Sequence, residues 1–365
     1  MINERELQGL AEYDGSAPVV SFYIDTDLAH HPKDAAKLMF KQSAKALQAE
    51  NASPDLTAEV AAIERYLDFE YDWQARGVAV FAGGGALWKT VALPVPVTTQ
   101  GYVGDRPYGR GLYDLVDRFA EYAVASIDRE SVRLFSVAWG RIQSQSEAMG
   151  DELKRHKQGG WAAARYQRHE DNLALHNLKQ AVELVDAFCR DSGGGRLMLA
   201  GNPSVLAQVK ELMPHALRGQ VIGEFPIDMA ATPSEVLRRS LEIAAAAQRT
   251  EEEQLVSEAI TAANKGGAGA VGLDDTLSAL REGRVRMLLV HDSLQVSGYQ
   301  CSSCGFLSAT KVARCPFCSS EAIRPVPDAV NLAILLALKA GTDINIVRQN
   351  EALRRAGGMA ALLRY

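Results

Sequence analysis

The sequence predicts an α/β protein of three domains. Short runs of β-branched and aromatic residues alternate with longer segments whose apolar residues recur at helical spacing, which is the pattern of helices packed on sheets. Glycine, proline and charged runs punctuate that pattern. A third observation fixes one local architecture. Near the C-terminus the chain reads Cys301-Ser-Ser-Cys304, ten residues, then Cys315-Pro-Phe-Cys318. Each CxxC pair offers two thiolates from one tight turn, and two such turns complete a tetrahedron, as in a zinc knuckle. Four thiolates leave no open coordination position, so one structural zinc ion is expected at Cys301, Cys304, Cys315 and Cys318. The alternative is two disulfides. The opening Met1-Ile-Asn-Glu-Arg-Glu6 carries no apolar signal segment, so a reducing cytoplasm is expected, where thiols bind metal more readily than they oxidise. The fifth cysteine, Cys189, falls in an apolar stripe with Leu178, Ala181, Leu184, Val185 and Phe188 and is read as a small core residue.

The first domain is expected over 1–128. Strands are read at Val19–Asp25, Gly77–Gly83 and Trp88–Leu93, with helices at about Lys33–Gln48, Ala58–Leu67 and Leu112–Ile127. The second domain, 129–248, opens with a strand at Ser131–Gly140. A basic, glycine-containing stretch follows, then a long helix at about Ala162–Arg190 ended by Gly193–Gly195. A strand at Arg196–Ala200, a helix opened by Asn202-Pro203 and a helix over Pro233–Ala247 complete it. The charged run Arg249-Thr-Glu-Glu-Glu-Gln254 marks a junction within a continuing helix. The third domain, 249–365, holds a helix at Leu273–Leu280 capped by Asp274 and Asp275, a strand at Val285–Val290 and the knuckle at about 299–325. A helix at Asp328–Ala340 and a strand at Ile344–Val347 follow.

Bulk composition limits the partners. The chain has 365 residues, 47% hydrophobic and 23% charged, with a net charge of −6. No run approaches the ~20 apolar residues of a membrane span. An acidic body is no generic polyanion binder, so neither membrane nor DNA is expected as a partner, and any RNA contact must come from local basic patches.

Several strings converge on one family. Lys157-Gln-Gly-Gly-Trp-Ala-Ala-Ala-Arg-Tyr-Gln-Arg168 resembles the loop and helix start of the middle domain of archaeo-eukaryotic peptide-chain release factors, where a basic run precedes GGQ and a helix with Arg-aromatic-x-Arg. Leu197-Met-Leu-Ala-Gly-Asn-Pro203 is similar to that domain's central strand and turn. Gly272–Leu280 with Gly283–Val285 resembles the start of the C-terminal domain, and Gly357–Tyr365 resembles the tail of archaeal members, which carry a two-CxxC insertion. The resemblance covers about 129–365 and extends to Pelota-type rescue factors and Balon-type bacterial hibernation factors. It implies an RNase H-like middle domain, a C-terminal domain like the ribosomal proteins that bind kink-turns, and the ribosomal A site as partner. It also implies a translational GTPase, such as elongation factor Tu, for delivery.

Departures from the family pattern shape the functional expectation. Gly159 and Gly160 are present, but Trp161 stands where hydrolytic members place the glutamine that helps position water. An indole neither replaces that amide nor fits its volume, so no catalytic residue is assigned. The alternative is a codon-independent peptidyl-tRNA hydrolase or a ribosome rescue factor resembling a peptide-chain release factor. The NIKS and YxCxxxF strings of stop-codon readers are absent, and 1–128 holds no cysteine. The expectation is therefore an A-site binding factor for idle or stalled ribosomes.

Its RNA-facing candidates are local. Lys154, Arg155, Lys157, Arg165 and Arg168 occur with no carboxylate between them, around Gly159, Gly160 and Trp161. Phosphates suit the charges, and an unpaired base suits the indole; the alternative for Trp161 is packing within the protein. Lys33, Lys37, Lys41 and Lys45 fall on one helix face, where like charges cost a few tenths of a kcal/mol per pair and a polyanion would offset the repulsion. A solvated face is the alternative. Arg106 and Arg110 flank Tyr108 in a turn read either as an RNA contact or as structural.

Overall fold

A computed structural model describes residues 4–13, 18–50, 54–84, 86–149, 161–192 and 195–365. The chain divides into two compact units, one built from 1–118 with 252–365 and the other from 119–251. In chain order the elements are α1 (Glu4–Ala11), β1 (Val19–Asp25), α2 (Lys33–Glu50), α3 (Pro54–Phe69), β2 (Gly77–Gly83), β3 (Ala86–Leu93), β4 (Gln100–Gly104) and α4 (Arg110–Arg118). Then come β5 (Tyr122–Ile127), β6 (Ser131–Ala138), β7 (Arg141–Met149), α5 (Trp161–Ser192), β8 (Leu197–Gly201), α6 (Pro203–Leu212), α7 (His215–Arg218), β9 (Val221–Phe225) and α8 (Pro233–Asn264). The chain ends with β10 (Gly269–Val271), α9 (Leu273–Arg281), β11 (Val285–His291), β12 (Gly298–Cys301), β13 (Leu307–Ser308), β14 (Ile323–Val326), α10 (Ala329–Lys339), β15 (Asp343–Val347), α11 (Glu351–Arg355) and β16 (Met359–Leu363).

Among the described residues, the first unit holds three sheets. One is antiparallel, in the order β3-β2-β1-β4. Strands β1 and β2 are buried along nearly their whole length, which explains their unbroken apolar reading. Phe22, Ile24 and Val80 of this sheet pack on Phe40 of α2 and on Ile63 and Leu67 of α3. A second sheet runs β10-β16-β11-β15, with β11 and β15 parallel and β16 antiparallel to both β10 and β11. Leu289, Val347, Leu353 and Ala360 form its core with Val256 and Ala259 from the end of α8. The third sheet, β13-β12-β14, is small and carries the cysteines.

The second unit is one five-stranded sheet, β7-β6-β5-β8-β9. Strand β6 runs antiparallel to β5 and β7, whereas β5, β8 and β9 are parallel. Counted within the unit, the order is 3-2-1-4-5 with the second strand reversed, in agreement with the RNase H-like core expected. Leu178, Val185 and Cys189 of α5 and Leu206 and Val209 of α6 cover one face. Asn202 caps α6 by accepting from Ser204 N, with Pro203 at the first helical position, as the sequence reading required.

Two local expectations are corrected. The helix expected over Leu112–Ile127 stops at Arg118, and Tyr122–Ile127 is the buried central strand β5. A strand buried on both faces reads as a continuous apolar run, which periodicity alone cannot separate from a helix. The basic stretch after Gly140 contains the exposed edge strand β7, whose polar sequence Arg-Ile-Gln-Ser-Gln-Ser hides it.

Candidate metal centre and basic surfaces

The two CxxC turns are built alike. Gly305 N donates to Cys301 O at 2.8 Å, and Ser319 N donates to Cys315 O at 2.9 Å. Cys301 N donates to Phe306 O and Cys315 N to Ser320 O, both at 2.9 Å. The residue after each pair turns to positive φ, at 79° for Gly305 and 59° for Ser319. Each turn thereby points two sulfurs the same way. Strand pairing of β12 with β14 and the bond donated by Ser302 N to Ala322 O fix one turn against the other.

The four sulfurs, Cys301, Cys304, Cys315 and Cys318, all lie within 4.8 Å of one another. Across the turns, Cys301–Cys318 is 3.6 Å and Cys304–Cys315 is 3.5 Å. These separations are far beyond a disulfide bond of about 2.0 Å, and all five cysteines are free thiols. Tetrahedral zinc with sulfur at ~2.3 Å requires sulfurs about 3.8 Å apart, so the donor set fits one tetrahedral ion. Burial opposes ionisation of Cys301. The N–H groups of Cys304 and Ser303 and the neighbouring thiols donate to its sulfur and outweigh burial, holding it down to about 6. Burial likewise opposes ionisation of Cys304, and the Phe306 N–H and the Cys315 and Cys318 thiols bring it down. Thiolate, the form that binds metal, is thus favoured at Cys301 and Cys304, whereas at Cys318 the Ser320 N–H is outweighed by burial and by the bonds to the other three thiols, which push it up to about 12. Phe306 and Ile323 pack on the cysteines, and the Phe306 ring meets Phe317 at 4.9 Å.

The knuckle is tied to the rest of its unit by a group read differently from sequence. Asp274 does not cap α9. The cap is Gly272, at φ 89° with no side-chain bond, and Asp274 Oδ1 instead accepts from Ala309 N at 3.0 Å. Asp275 sits in the first turn of α9, where an acidic side chain suits the helix dipole.

The basic candidates have divergent fates. Arg110 is 6% exposed, and its guanidinium donates to the backbone oxygens of Leu294, His291 and Asp292, the second at 3.1 Å. Its own N–H donates to Asn331 Oδ1 at 3.2 Å. The RNA-contact expectation for Arg110 is therefore withdrawn: a buried guanidinium shared among three carbonyls has no free face for phosphate. Arg106, four residues earlier, is exposed. Gly111 beside Arg110 is required sterically, because a Cβ there would lie 2.6 Å from the Tyr23 ring.

Lys37 pairs with Asp68 at 2.6 Å and Lys41 with Glu64 at 2.8 Å. The repulsion along this face is thus offset by carboxylates of α3 and needs no polyanion. Lys33 and Lys37 also lie over the Trp73 ring, at 5.7 and 5.8 Å from its centroid. Lys33 and Lys45 are exposed.

Lys154, Arg155, Lys157, Gly159 and Gly160 lie outside the described residues. Trp161 is the first residue of α5, and Arg165 and Arg168 follow in its first turns. Spacings of four and three residues put these three positions on one helix face.

Sequence reasoning missed a second arginine centre. Arg348 donates to Asp114 Oδ1 at 2.8 Å, Asp117 Oδ2 at 3.1 Å and Glu252 Oε1 at 3.3 Å. Its backbone N–H adds a 2.9 Å bond to Glu252 Oε2. Burial pushes Asp117 up to about 6 against the opposing pull of Arg348. Nothing in the local sequence signals this cluster, whose members are far apart along the chain.

Residues 107–245 match the family model described as Bacterial archaeo-eukaryotic release factor family 10. No curated protein matches the chain. Among solved structures, archaeal translation termination factor aRF1 aligns at 16% identity over 100% of this chain and 99% of that one, with a TM-score of 0.27. Ribosome-bound archaeal Pelota with ABCE1 aligns at 12% identity over 100% and 94%, with a TM-score of 0.42. Dom34 of S. cerevisiae, a translation termination-like factor that interacts with Hbs1, aligns at 12% identity over 81% of each chain, with a TM-score of 0.41. Likenesses this low carry no functional weight beside the family match. No helix among the described residues is long and apolar enough to cross a membrane. Over residues 107–245, the chain is thus similar to the bacterial archaeo-eukaryotic release-factor group.

Proposed function

We propose that the protein is a ribosome-associated translation factor that occupies the A site of idle or stalled ribosomes without codon-specific release. One observation carries the reading. Inside the segment that matches the release-factor family, Trp161 follows Gly159-Gly160 at the start of α5, where hydrolytic members of the resembled family have glutamine. The glycine pair lets backbone approach RNA closely. The indole stacks on an unpaired base, worth about 1–3 kcal/mol, but does not orient water. Lys154, Arg155, Lys157, Arg165 and Arg168 then contact phosphates, and exposed Arg106 and Lys33 supply secondary contacts. In this reading the functional segments are 1–128 toward the decoding region, 129–248 toward the peptidyl-transferase centre and 249–365 as the carrier of the knuckle.

The four cysteines hold one zinc ion as a structural staple, since a four-thiolate shell leaves no position for substrate. The archaeal Pelota structure includes ABCE1, and yeast Dom34 interacts with Hbs1. Independently of those neighbours, the resemblance of the chain's motifs to the release-factor family motivates a translational GTPase, elongation factor Tu among the candidates, as partner, testable by pull-down with purified GTPase.

Cryo-EM of purified ribosomes at saturating protein tests the main reading. Density in the A site with α5 directed to the peptidyl-transferase centre is expected, and an empty A site sinks the proposal. The retained glycine pair favours one second reading, a codon-independent peptidyl-tRNA hydrolase. Stalled complexes carrying labelled peptide separate the two: a flat time course is expected, whereas release abolished by Gly160→Ala would establish the enzyme.

A further inference from the structure

A cavity of about 340 Å³ lies within the unit formed by 1–118 and 252–365. Its walls differ in character. Leu47 and Leu332 give it an apolar side. Tyr102 and Tyr108 also line it, with their rings stacked at 3.5 Å between centroids and 8° between planes. Its charged lining residues are Glu50, Asp105, Arg106 and Asp328; Asp105 is paired with Arg324, and two of the others bear directly on a ligand.

One is Asp328, 8% exposed, whose Oδ1 caps α10 by accepting from Val330 N at 2.9 Å and Asn331 N at 3.0 Å. Its Oδ2 is buried and has no hydrogen-bond partner among the described residues. A buried acceptor left alone costs about 1–3 kcal/mol, more when charged. Burial raises the Asp328 carboxyl, against the donors from Asn331 and Val330 and the nearby Arg110 charge. The other is Arg106, exposed and with no ion pair or hydrogen bond among the described residues.

These features select a ligand chemistry. The aromatic and apolar walls favour a flat ring over a bare anion. Asp328 Oδ2 asks for an N–H donor at one edge of that ring. Of the charged lining, Asp105 is paired with Arg324, and Arg106 is the guanidinium placed to receive an anionic substituent. The volume lies at the small end of ligand pockets, about 300–1,000 Å³, and so suits one base with its sugar. We propose that the cavity binds a nucleoside monophosphate, with the base against the tyrosine wall, its N–H edge on Asp328 and its phosphate on Arg106. The inference does not rest on ribosome binding, although Arg106 serves in both readings.

Isothermal titration of the full chain with AMP, GMP, CMP, UMP and the four parent nucleosides tests it without ribosomes. Saturable one-to-one binding of at least one monophosphate is expected. Removing the phosphate, or substituting Arg106→Ala, should each weaken binding about tenfold or more, a loss of ~1.4 kcal/mol. The nucleoside should bind Arg106→Ala and the unaltered protein equally. Tyr102→Ala should weaken both ligands, and it keeps the test independent of Asp328, whose substitution also removes a helix cap. Absence of heat with all four monophosphates at millimolar concentration overturns the proposal, as does unchanged monophosphate affinity in Arg106→Ala. A 5′-phosphorylated trinucleotide serves as a further probe. If it alone binds, the site belongs to an RNA strand and the free-nucleotide proposal is wrong.

Discussion

The cysteine knuckle and the turn from Arg106 to Arg110 are both short, chemically pointed stretches, yet they behave oppositely. The four knuckle sulfurs converge within 4.8 Å, as their spacing implies. The two arginines part company, one exposed and one bound to the carbonyls of Leu294, His291 and Asp292. The difference lies in where the determining contacts come from. Hydrogen bonds within each five-residue turn aim the thiols, so local sequence determines their geometry. The fate of Arg110 is decided by residues some 180 positions away, which no reading of Arg106-Pro-Tyr-Gly-Arg110 contains. A motif is legible when its own backbone builds the site.

The strongest test of that contrast removes the metal. Structural zinc contributes roughly 10–16 kcal/mol of apparent binding energy in isolated finger peptides at neutral pH, although a knuckle supported by a larger domain loses less fold when stripped. Metal analysis should give one zinc per chain, and Cys315→Ser should lower this well below one and raise proteolysis within 299–325. Zinc at one per chain in that variant would contradict the four-thiolate site. The turn is tested next. Arg110→Ala leaves three carbonyls without their donor and should cost about 2–5 kcal/mol of stability in denaturant unfolding. Arg106→Ala should stay within about 0.5 kcal/mol of the unaltered protein, as surface substitutions do. Equal losses for the two arginines would erase the contrast.

The same principle accounts for how much of the protein was legible. Strands β1, β2, β6, β8 and β11 and helices α2, α5, α6 and α10 follow from apolar runs, periodicity and local caps such as Asn202. Strand β5 was lost because it is buried on both faces, and β7 because an exposed edge carries little apolar signal. Lys37 and Lys41 were visible as a charged face, but their partners Asp68 and Glu64 lie on the next helix. The Arg348 cluster and the Asp328 cavity were invisible, since each is assembled from segments more than 200 residues apart.

The Arg348 cluster extends the contrast to pH. Asp117 moves from 3.8 to about 6 chiefly because it is buried. Between those values the folded protein keeps a proton that the unfolded chain has released. Its contribution to stability is therefore full below about pH 4 and falls as pH rises to about 6, by at most ~3 kcal/mol at 1.36 kcal/mol per unit. Asp117→Asn cannot lose that proton, and Asp114 and Glu252 remain to pair Arg348. The fall in unfolding free energy from pH 4.5 to pH 7 should be smaller in this variant. An unchanged pH dependence would show that Arg348 already neutralises the effect of burial.

The smallest effect is expected on the lysine face, where it bears on function as well as fold. Lys37 and Asp68 are about one-third exposed or less, and a pair of this kind contributes ~0–1 kcal/mol. A double-mutant cycle of Lys37→Met and Asp68→Asn should return a coupling energy in that range. Because Lys37 already has a carboxylate partner, Lys37→Met should also leave ribosome affinity in a pelleting assay within about twofold. Arg165→Ala should lower that affinity more and flatten its salt dependence by about one phosphate contact. If Lys37→Met proved the more damaging, α2 rather than the start of α5 would be the RNA-facing helix, and the pairs with α3 would have to open on binding.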